Sequence, residues 1–142
     1  RYAGTIDTLA LINGAFGILD IKTSLAIYRD YNLQTAAYMG ALHNTHKGLQ
    51  TRWIMRIDQA RVCNTCESTL RAKGGREKIR SPYPRPAHWQ QCADNTHEWS
   101  PLRGFVELKE FPYWHDDFAA FLGAKKLWEW EHDYWLKKIN YV

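Results

Sequence analysis

The last quarter of the chain carries its hydrophobic residues at helical spacing. Placed at about 100° per residue, they form one apolar stripe from Trp114 to Ile139 and a second, narrower stripe that includes Trp130 and Tyr134. Acidic residues in the first turn and lysines in the last turn suit the helix macrodipole. The pattern therefore predicts a long amphipathic helix over residues 113–142 with two surfaces to cover.

The beginning of the chain also has apolar residues at spacings of three and four, from Ile6 to Ala26. This spacing predicts a first helix, capped by Thr5 or Asp7. Asn13-Gly14 is a rival signal for a hairpin turn. The helix is preferred because the residues on either side of that pair do not alternate as strand residues do.

A second helical region is predicted from about Leu33 to Lys73, with a restart near Asn44 or Thr45. Its end is marked by the glycine pair Gly74-Gly75, a strong helix stop. Residues 1–73 are therefore expected to form two or three helices.

Residues 74–112 differ in composition from the residues before them. A glycine pair, three prolines at alternate positions and several bases predict an extended arm with polyproline character. The rest of this stretch reads as loop, with at most one short strand at Phe105 to Leu108. The predicted fold class is thus mostly α, with helices in 1–73, an arm and loops in 74–112, and the aromatic helix in 113–142.

Hydropathy predicts no transmembrane segment. The mean hydropathy is −0.53, and no stretch approaches the roughly 18 apolar residues of a spanning helix. The most apolar candidate lies between Ile6 and Tyr28, and its interruptions are Asp7, Asn13, Asp20 and Lys22. The chain begins with Arg1 and not Met, which fits either a processed mature N-terminus or numbering that starts partway along the protein.

Charge is distributed unevenly along the chain, whose net charge is +4. Residues 47–85 hold ten Lys or Arg and three acids, whereas residues 94–133 hold nine acids and four bases. The basic residues of the arm are Arg71, Lys73, Arg76, Lys78, Arg80 and Arg85, with Tyr83 and Trp89 between and beyond them. Bases with interleaved aromatics suit single-stranded nucleic acid, but anionic lipid head groups or an acidic subunit explain them equally well.

Three cysteines and two histidines offer a candidate metal site. Thiolate and imidazole are the donors of a closed zinc site, so a Cys₃His set is conceivable. Its members would be Cys63, Cys66, Cys92 and either His88 or His97. A disulfide between Cys92 and one of the other two cysteines, or three free thiols, are alternatives that the spacing leaves open.

Catalytic motifs are scarce. His115-Asp116-Asp117 with the distant His43, His46 and Asp133 could hold a catalytic metal, but acids in a first helical turn already have a structural reason. The chain has no nucleotide-binding glycine loop and no nucleophile elbow. We therefore expect a protein that is not an enzyme and that needs no cofactor other than a possible structural zinc.

The aromatic helix is interpreted as an interface, because Trp and Tyr often dominate the energy of protein interfaces. The alternative is that its stripes form an ordinary core. The residues expected to contact neighbours are Trp114, Phe118, Phe121, Trp128, Trp130, Tyr134 and Trp135.

A short, basic chain that is rich in Trp and Tyr near a charged C-terminus is similar to the supernumerary subunits of mitochondrial respiratory complexes. Within it, Gly123-Ala-Lys-Lys-Leu-Trp128-Glu-Trp130-Glu131-His-Asp-Tyr-Trp135 resembles the C-terminal tail of cytochrome c oxidase subunit IV. That resemblance covers about a tenth of the chain, and the membrane-spanning helix of that family has no clear counterpart here.

The resemblance implies an accessory subunit that is peripheral to the mitochondrial inner membrane. Such a subunit would bind neighbouring subunits of a respiratory complex, with anionic lipid head groups as a further candidate partner. The alternative is a mitochondrial ribosomal or other RNA-associated protein, in which Arg76, Lys78, Arg80 and Arg85 contact phosphate. Nucleic acid is the less favoured partner at this stage.

Overall fold

A computed structural model describes residues 2–82, 84–93 and 96–141 of the chain. It shows a mixed α/β fold with a six-stranded sheet, so the prediction of a mostly α fold is wrong. Arg1 and Tyr83, which the sequence analysis singled out, lie outside the described residues, as does the side chain of Lys73. Among the described residues, no helix is both long and apolar enough to span a bilayer.

Six strands and three helices follow one another along the described chain. They are β1 (Thr8–Ile12), β2 (Ala15–Thr23), α1 (Arg29–Leu42), β3 (Thr51–Val62), β4 (Thr69–Lys73), β5 (Arg76–Arg80), β6 (Arg103–Glu110), α2 (His115–Glu131) and α3 (Asp133–Lys138). The strand order is β1-β2-β3-β4-β5, with β6 paired to β3. The chain forms two compact units, the first made of Arg1–Arg56 and Glu107–Val142 and the second of Ile57–Val106.

The first unit begins with an antiparallel hairpin where the sequence analysis predicted a helix. Asn13 and Gly14 both have positive φ, 51° and 81°, which is the geometry of a two-residue hairpin turn. The register pairs Thr8 with Leu19 and Ile12 with Ala15. The weaker of the two sequence signals was therefore the correct one.

Helix α1 packs on β2 through small and flexible side chains. Ile18 is fully buried against Ala36 and Met39, and Leu49 and Trp114 complete the core of this unit. Partly buried residues that pack around this core are Ile6, Leu9, Phe16, Tyr38, Leu42 and Phe118. The core thus fixes the inner face of β2 against one face of α1.

The predicted C-terminal helix is present but divided at His132 into α2 and α3. Its apolar stripe divides as well. Trp114 is buried in the core and Phe118 and Phe121 are half-buried, whereas Trp128 and Trp135 are 48% and 60% exposed. The first half of the stripe is therefore core, whereas in the second half Leu136 is buried and the two tryptophans face solvent.

Arg52 is fully buried in the first unit and forms an ion pair with Asp117. Burial lowers the pKa of Arg52, and the hydrogen bond and charge of Asp117 oppose that shift. This pair explains Asp117 as a structural residue at the start of α2, because a buried cation without its partner is costly.

The second unit contains the end of β3, the β4–β5 hairpin and the beginning of β6. The region predicted as a helix from Leu33 to Lys73 therefore holds α1 and two strands instead. Gly74 and Gly75, read as a helix stop, form the β4–β5 turn with φ of 60° and 75°. The predicted arm, 74–112, likewise contains β5 and β6, and the short strand predicted at Phe105 to Leu108 is confirmed within β6.

Two helical glycines give a test of the packing of α1 against α2. A Cβ at Gly40 would overlap the ring of Phe118, whereas a Cβ at Gly123 would meet nothing within 4 Å. Gly40→Ala is expected to lower the free energy of unfolding by about 1–3 kcal/mol, the usual cost of overpacking. Gly123→Ala, the matched control, is expected to raise it by about 0.5–1 kcal/mol through helix propensity alone. Urea unfolding of both variants measures the difference, and equal effects would contradict this packing.

Candidate functional site

The second unit brings a set of metal-ligating side chains together on a tight turn. Cys63 follows the end of β3, and Cys66 lies three residues later in the turn to β4, not on a helix as predicted. The amide of Glu67 donates to the carbonyl of Cys63 at 2.9 Å, and the amide of Cys63 donates to the carbonyl of Ser68 at 2.8 Å. These bonds fold the Cys-x-x-Cys segment back on itself.

The other two side chains come from the loop before β6. Cys92, Cys63, Cys66 and His97 place their ligand atoms within 4.8 Å of one another. Cys63 Sγ lies 4.0 Å from Cys92 Sγ, and Cys66 Sγ lies 3.5 Å from His97 Nδ1. The edges of a tetrahedron with zinc-type bond lengths are about 3.6–3.8 Å, so these four residues could hold a metal ion.

Aromatic residues support this cluster. The His97 ring stacks on Trp99 with centroids 4.5 Å apart, and Trp99 forms a β-bridge with Cys63. Trp89 Nε1 donates to the carbonyl of Cys66. His97 Nε2 is buried without a partner among the described residues, which leaves Nδ1 as the nitrogen directed at the thiols.

The three thiols differ in pKa. Burial raises the pKa of Cys63, but hydrogen bonds from the amides of Cys66, Thr65 and Glu98 bring it down to about 7. For Cys66, burial acts in the same direction, yet hydrogen bonds involving Cys92 and Ser68 lower its pKa overall. Burial together with the other two thiols raises the pKa of Cys92 to about 11. Hydrogen bonds therefore favour the thiolate form of Cys63 and Cys66, whereas burial and the neighbouring sulfurs disfavour it at Cys92.

The sequence left open a zinc site, a disulfide or three free thiols, and the structure bears on the disulfide and on the choice of histidine. All three cysteines, each within the described residues, are free thiols, so the disulfide alternative is not what the structure contains. His97 and not His88 completes the set. His88 is exposed and lies outside the cluster.

A second cluster lies in the first unit and was missed by the sequence analysis. Asp7 directly precedes β1, and its Oδ2 accepts a hydrogen bond of 2.7 Å from the amide of Ile21 in β2. Because that amide adjoins the Cα of Asp20, the Asp7 carboxylate lies within about 6 Å of this Cα.

Asp20 is 2% exposed and shares its strand face with Lys22. Lys22 Nζ lies 2.6 Å from Asp20 Oδ2, although the geometry leaves that buried oxygen without a hydrogen bond. The ammonium also lies 5.2 Å from the centre of the Tyr31 ring on α1. Asp7 and Ile21 are exposed, so the cluster is open to solvent on one side.

The same face of α1 continues from Tyr31 to a small cavity. Gln34 Nε2 donates to Tyr38 Oη at 2.7 Å, and these residues lie one and two turns further along the helix. The cavity of about 330 Å³ is lined by Tyr2, Ala3, Gln34, Ala37, Tyr38 and Phe121. Aromatic rings therefore border the helix face that contacts Lys22.

The missed residues had a visible signal. Asp7, Asp20 and Lys22 were noted only as interruptions of an apolar stretch, and Asp7 as a helix cap. Once 6–23 is read as a hairpin, a carboxylate and an ammonium at alternate positions on the inner face of β2 become the informative feature. A buried acid is an informative feature in a strand, and here its ion-pair partner is Lys22.

The predicted His-Asp site does not assemble. His115 stacks on Trp114, His43 packs against the same ring, and Asp117 is held by Arg52. Within the part of the chain that the structure describes, the cysteine cluster is the one group of three or more His, Cys, Asp or Glu whose ligand atoms converge. His46 and Asp133 belong to no such group.

The basic residues of the predicted arm lie on β5 and in the loop after it. Arg76, Lys78 and Arg80 are exposed on β5, and Arg85 Cζ lies 4.9 Å from the centre of the Trp89 ring. Comparison with known proteins gives no relative for this arrangement: no family model, no curated protein and no solved structure matches the chain.

Proposed function

We propose that this protein hydrolyses phosphodiester bonds of nucleic acid with a divalent cation bound by Asp7 and Asp20. The observation that carries the proposal is the hydrogen bond from the amide of Ile21 to Asp7, which holds one carboxylate at the backbone next to Asp20, the partner of Lys22. Paired carboxylates next to a lysine suit a site where a cation and an ammonium act on one phosphate.

The donor atoms favour a hard cation at this position. Mg²⁺ is bound in enzymes by one or two carboxylates, and water and substrate phosphate complete its coordination. Asp7 and Asp20 offer only oxygen, unlike the sulfur-rich cluster of the second unit. The proposed cation is therefore Mg²⁺ or Mn²⁺.

Each side chain has a distinct role in the reaction. The bound cation supplies a polarised phosphate and an acidified water. Asp20 and Asp7 hold and orient it, and Asp7 is kept in place by the Ile21 amide. The ammonium of Lys22, which lies beside Asp20, would stabilise the charge that grows as water adds to phosphorus and the P–O bond to the leaving strand breaks. The proton that the attacking water loses passes to solvent, and the leaving oxygen takes up a proton from solvent as the hydroxyl product forms.

The surroundings favour a polymer over a free nucleotide. The cluster is open on the side of Asp7 and Ile21, and the chain contains no nucleotide-binding glycine loop. The cavity along α1 offers Tyr2, Tyr38 and Phe121, rings of the kind on which bases stack. A strand of nucleic acid has both the phosphates and the bases for this site.

The cysteine cluster is proposed to hold zinc in a structural role. Four protein ligands close the coordination of a tetrahedral ion and leave no position for substrate, as in structural zinc sites. The second unit has 50 residues from Ile57 to Val106, and units this small commonly need a metal for stability.

Zinc analysis tests this role. The purified chain is expected to contain one zinc ion, and Cys66→Ser is expected to lose it, whereas His88→Ala, the matched control outside the cluster, keeps it. Because thiols must lose their protons to bind zinc, affinity is expected to fall as the pH falls from 8 to 6. A chain purified without chelator that holds no zinc, or His88→Ala losing its zinc, would contradict the assignment.

Cleavage of a labelled DNA or RNA strand tests the catalytic proposal. Activity is expected to require Mg²⁺ or Mn²⁺ and to stop with chelator. Asp20→Asn and Lys22→Met are expected to lower the cleavage rate by more than about 100-fold, since each removes cation binding or charge stabilisation.

Asp30→Asn is the matched control, because Asp30 is an exposed acid in the first turn of α1. It is expected to cleave at the wild-type rate. Thermal unfolding of all three variants separates loss of chemistry from loss of fold. Cation-dependent cleavage that survives Asp20→Asn in a folded protein would refute the proposed site.

A second candidate function is the one expected from the sequence, an accessory subunit of a mitochondrial respiratory complex. The observation that favours it is the exposed aromatic surface of Trp128, Trp130, Tyr134 and Trp135. Rings of this kind in solvent are typical of surfaces that neighbouring proteins cover.

Replacement of the exposed rings tests this second candidate. Trp128→Ala with Trp135→Ala is expected to leave unfolding of the isolated chain nearly unchanged, since both rings are exposed. If they are interface anchors, assembly is expected to weaken by about 2 kcal/mol per ring. Size-resolved analysis of gently solubilised membranes measures this, and a chain that runs alone before and after the change rules this candidate out.

A further inference from the structure

The β4–β5 hairpin of the second unit has two unlike faces. Residues paired across an antiparallel hairpin lie on the same face, and the register pairs Leu70 with Ile79 and Arg71 with Lys78. Leu70 and Ile79 are half-buried, so their face turns inward. On the other, outer face, Thr69 and Arg71 of β4 are half-buried, whereas the residues of β5 are exposed.

That outer face is basic along the whole of β5. Arg76, Lys78 and Arg80 alternate with Glu77 and Ile79, so all three bases lie on one side of the strand. All three are exposed. Among the described residues, no carboxylate forms an ion pair with any of them, whereas Arg71 on the neighbouring strand is paired with Asp58.

Solubility alone does not require this arrangement. β5 is the last strand in the order β1-β2-β3-β4-β5, and a charge on an edge strand discourages aggregation. One lysine serves that purpose. Three bases on one face exceed that need, and among the described bases of the hairpin only Arg71, directly opposite Lys78, is neutralised by a carboxylate, that of Asp58.

The base of the hairpin is tied to the metal cluster. β4 begins at Thr69, directly after Ser68, whose hydroxyl accepts from Cys66 Sγ at 3.1 Å. Trp89 donates to the carbonyl of Cys66 and carries Arg85 against its ring, which places a further base on this framework. Metal binding would thus order the hairpin and the loop that follows it.

We propose that the outer face of the β4–β5 hairpin, formed by Arg76, Lys78 and Arg80, binds the phosphate backbone of nucleic acid. The inference rests on the proposed function, for which it supplies a substrate-binding surface. Successive bases on this face lie about 6.7 Å apart, so the three span about 13 Å, a length over which one strand of a duplex presents about four phosphates. A two-stranded ribbon is also an element that enters the major groove.

The face contacts phosphate and carries no base-reading pattern. Arg and Lys at alternate positions neutralise charge without distinguishing base pairs. Binding is therefore independent of sequence and depends steeply on salt. Each neutralised phosphate contributes about 0.9 to the slope of log affinity against log salt concentration.

The test measures binding of a fluorescein-labelled 30-base-pair DNA to the full zinc-loaded chain carrying Asp20→Asn, by anisotropy at several salt concentrations. Adding Arg76→Gln, Lys78→Gln and Arg80→Gln is expected to weaken binding at least 10-fold at low salt and to reduce the slope by about 2–3. The matched control replaces Lys126, Lys137 and Lys138 of the C-terminal helices by Gln, which changes net charge equally. It is expected to alter affinity less than 2-fold.

Equal weakening by the two triple variants, or an unchanged slope for the hairpin variant, would overturn the inference. Vesicles that contain phosphatidylserine provide the second arm: hairpin-dependent vesicle binding with unaltered DNA binding would assign the face to a membrane and also overturn it. Cleavage assays on the otherwise wild-type chain keep the two proposals apart. If the hairpin triple variant cleaves DNA as fast as the wild-type chain, only the proposed phosphate-binding face is refuted. If DNA binding depends on the hairpin but no variant cleaves DNA, the catalytic proposal is refuted.

Discussion

The register of the β1–β2 hairpin is the constraint on which the candidate active site depends. Asn13 and Gly14 accept positive φ, and this two-residue turn fixes which residues of the two strands face each other. Asp7, directly before β1, thereby reaches the amide of Ile21 in β2. Core packing of Ile18 against α1 then holds the inner face of β2, so Asp20 and Lys22 face the helix that carries Tyr31. One local turn therefore determines the placement of groups contributed by three elements.

The two candidate sites divide their chemistry between the two units. Oxygen donors and an ammonium occupy the first unit, and sulfur and imidazole occupy the second. Hard and soft donors select different ions, so the two sites need not compete for one metal. In the proposed assignment, the closed sulfur site would serve stability, and the carboxylate site would leave coordination positions for water and substrate. Loss of one metal should not by itself empty the other site.

The sequence predicted some parts of this molecule and missed others for identifiable reasons. The cysteine set could be named from donor chemistry, but the choice of His97 over His88 depends on the path of a loop. The C-terminal helix was predictable because its apolar pattern is long and periodic. β3 was misread as a helix because Thr51, Arg52, Trp53 and Ile54 are all buried, and a strand covered on both faces does not alternate. Asp20 was passed over because a buried acid that pairs with Lys22 two residues later on the same strand does not fit an apolar pattern.

The chain leaves the first unit after Arg56 and returns at Glu107, and these two residues form an ion pair of 2.8 Å. Departure and return points that lie side by side are the mark of an inserted module. A tight turn joining the two would close the first unit without the intervening 50 residues from Ile57 to Val106. The carboxylate and lysine cluster would be complete in such a minimal form. The cysteine-bearing module could accordingly be removed as a unit while the β1–β2 hairpin and its register stay intact.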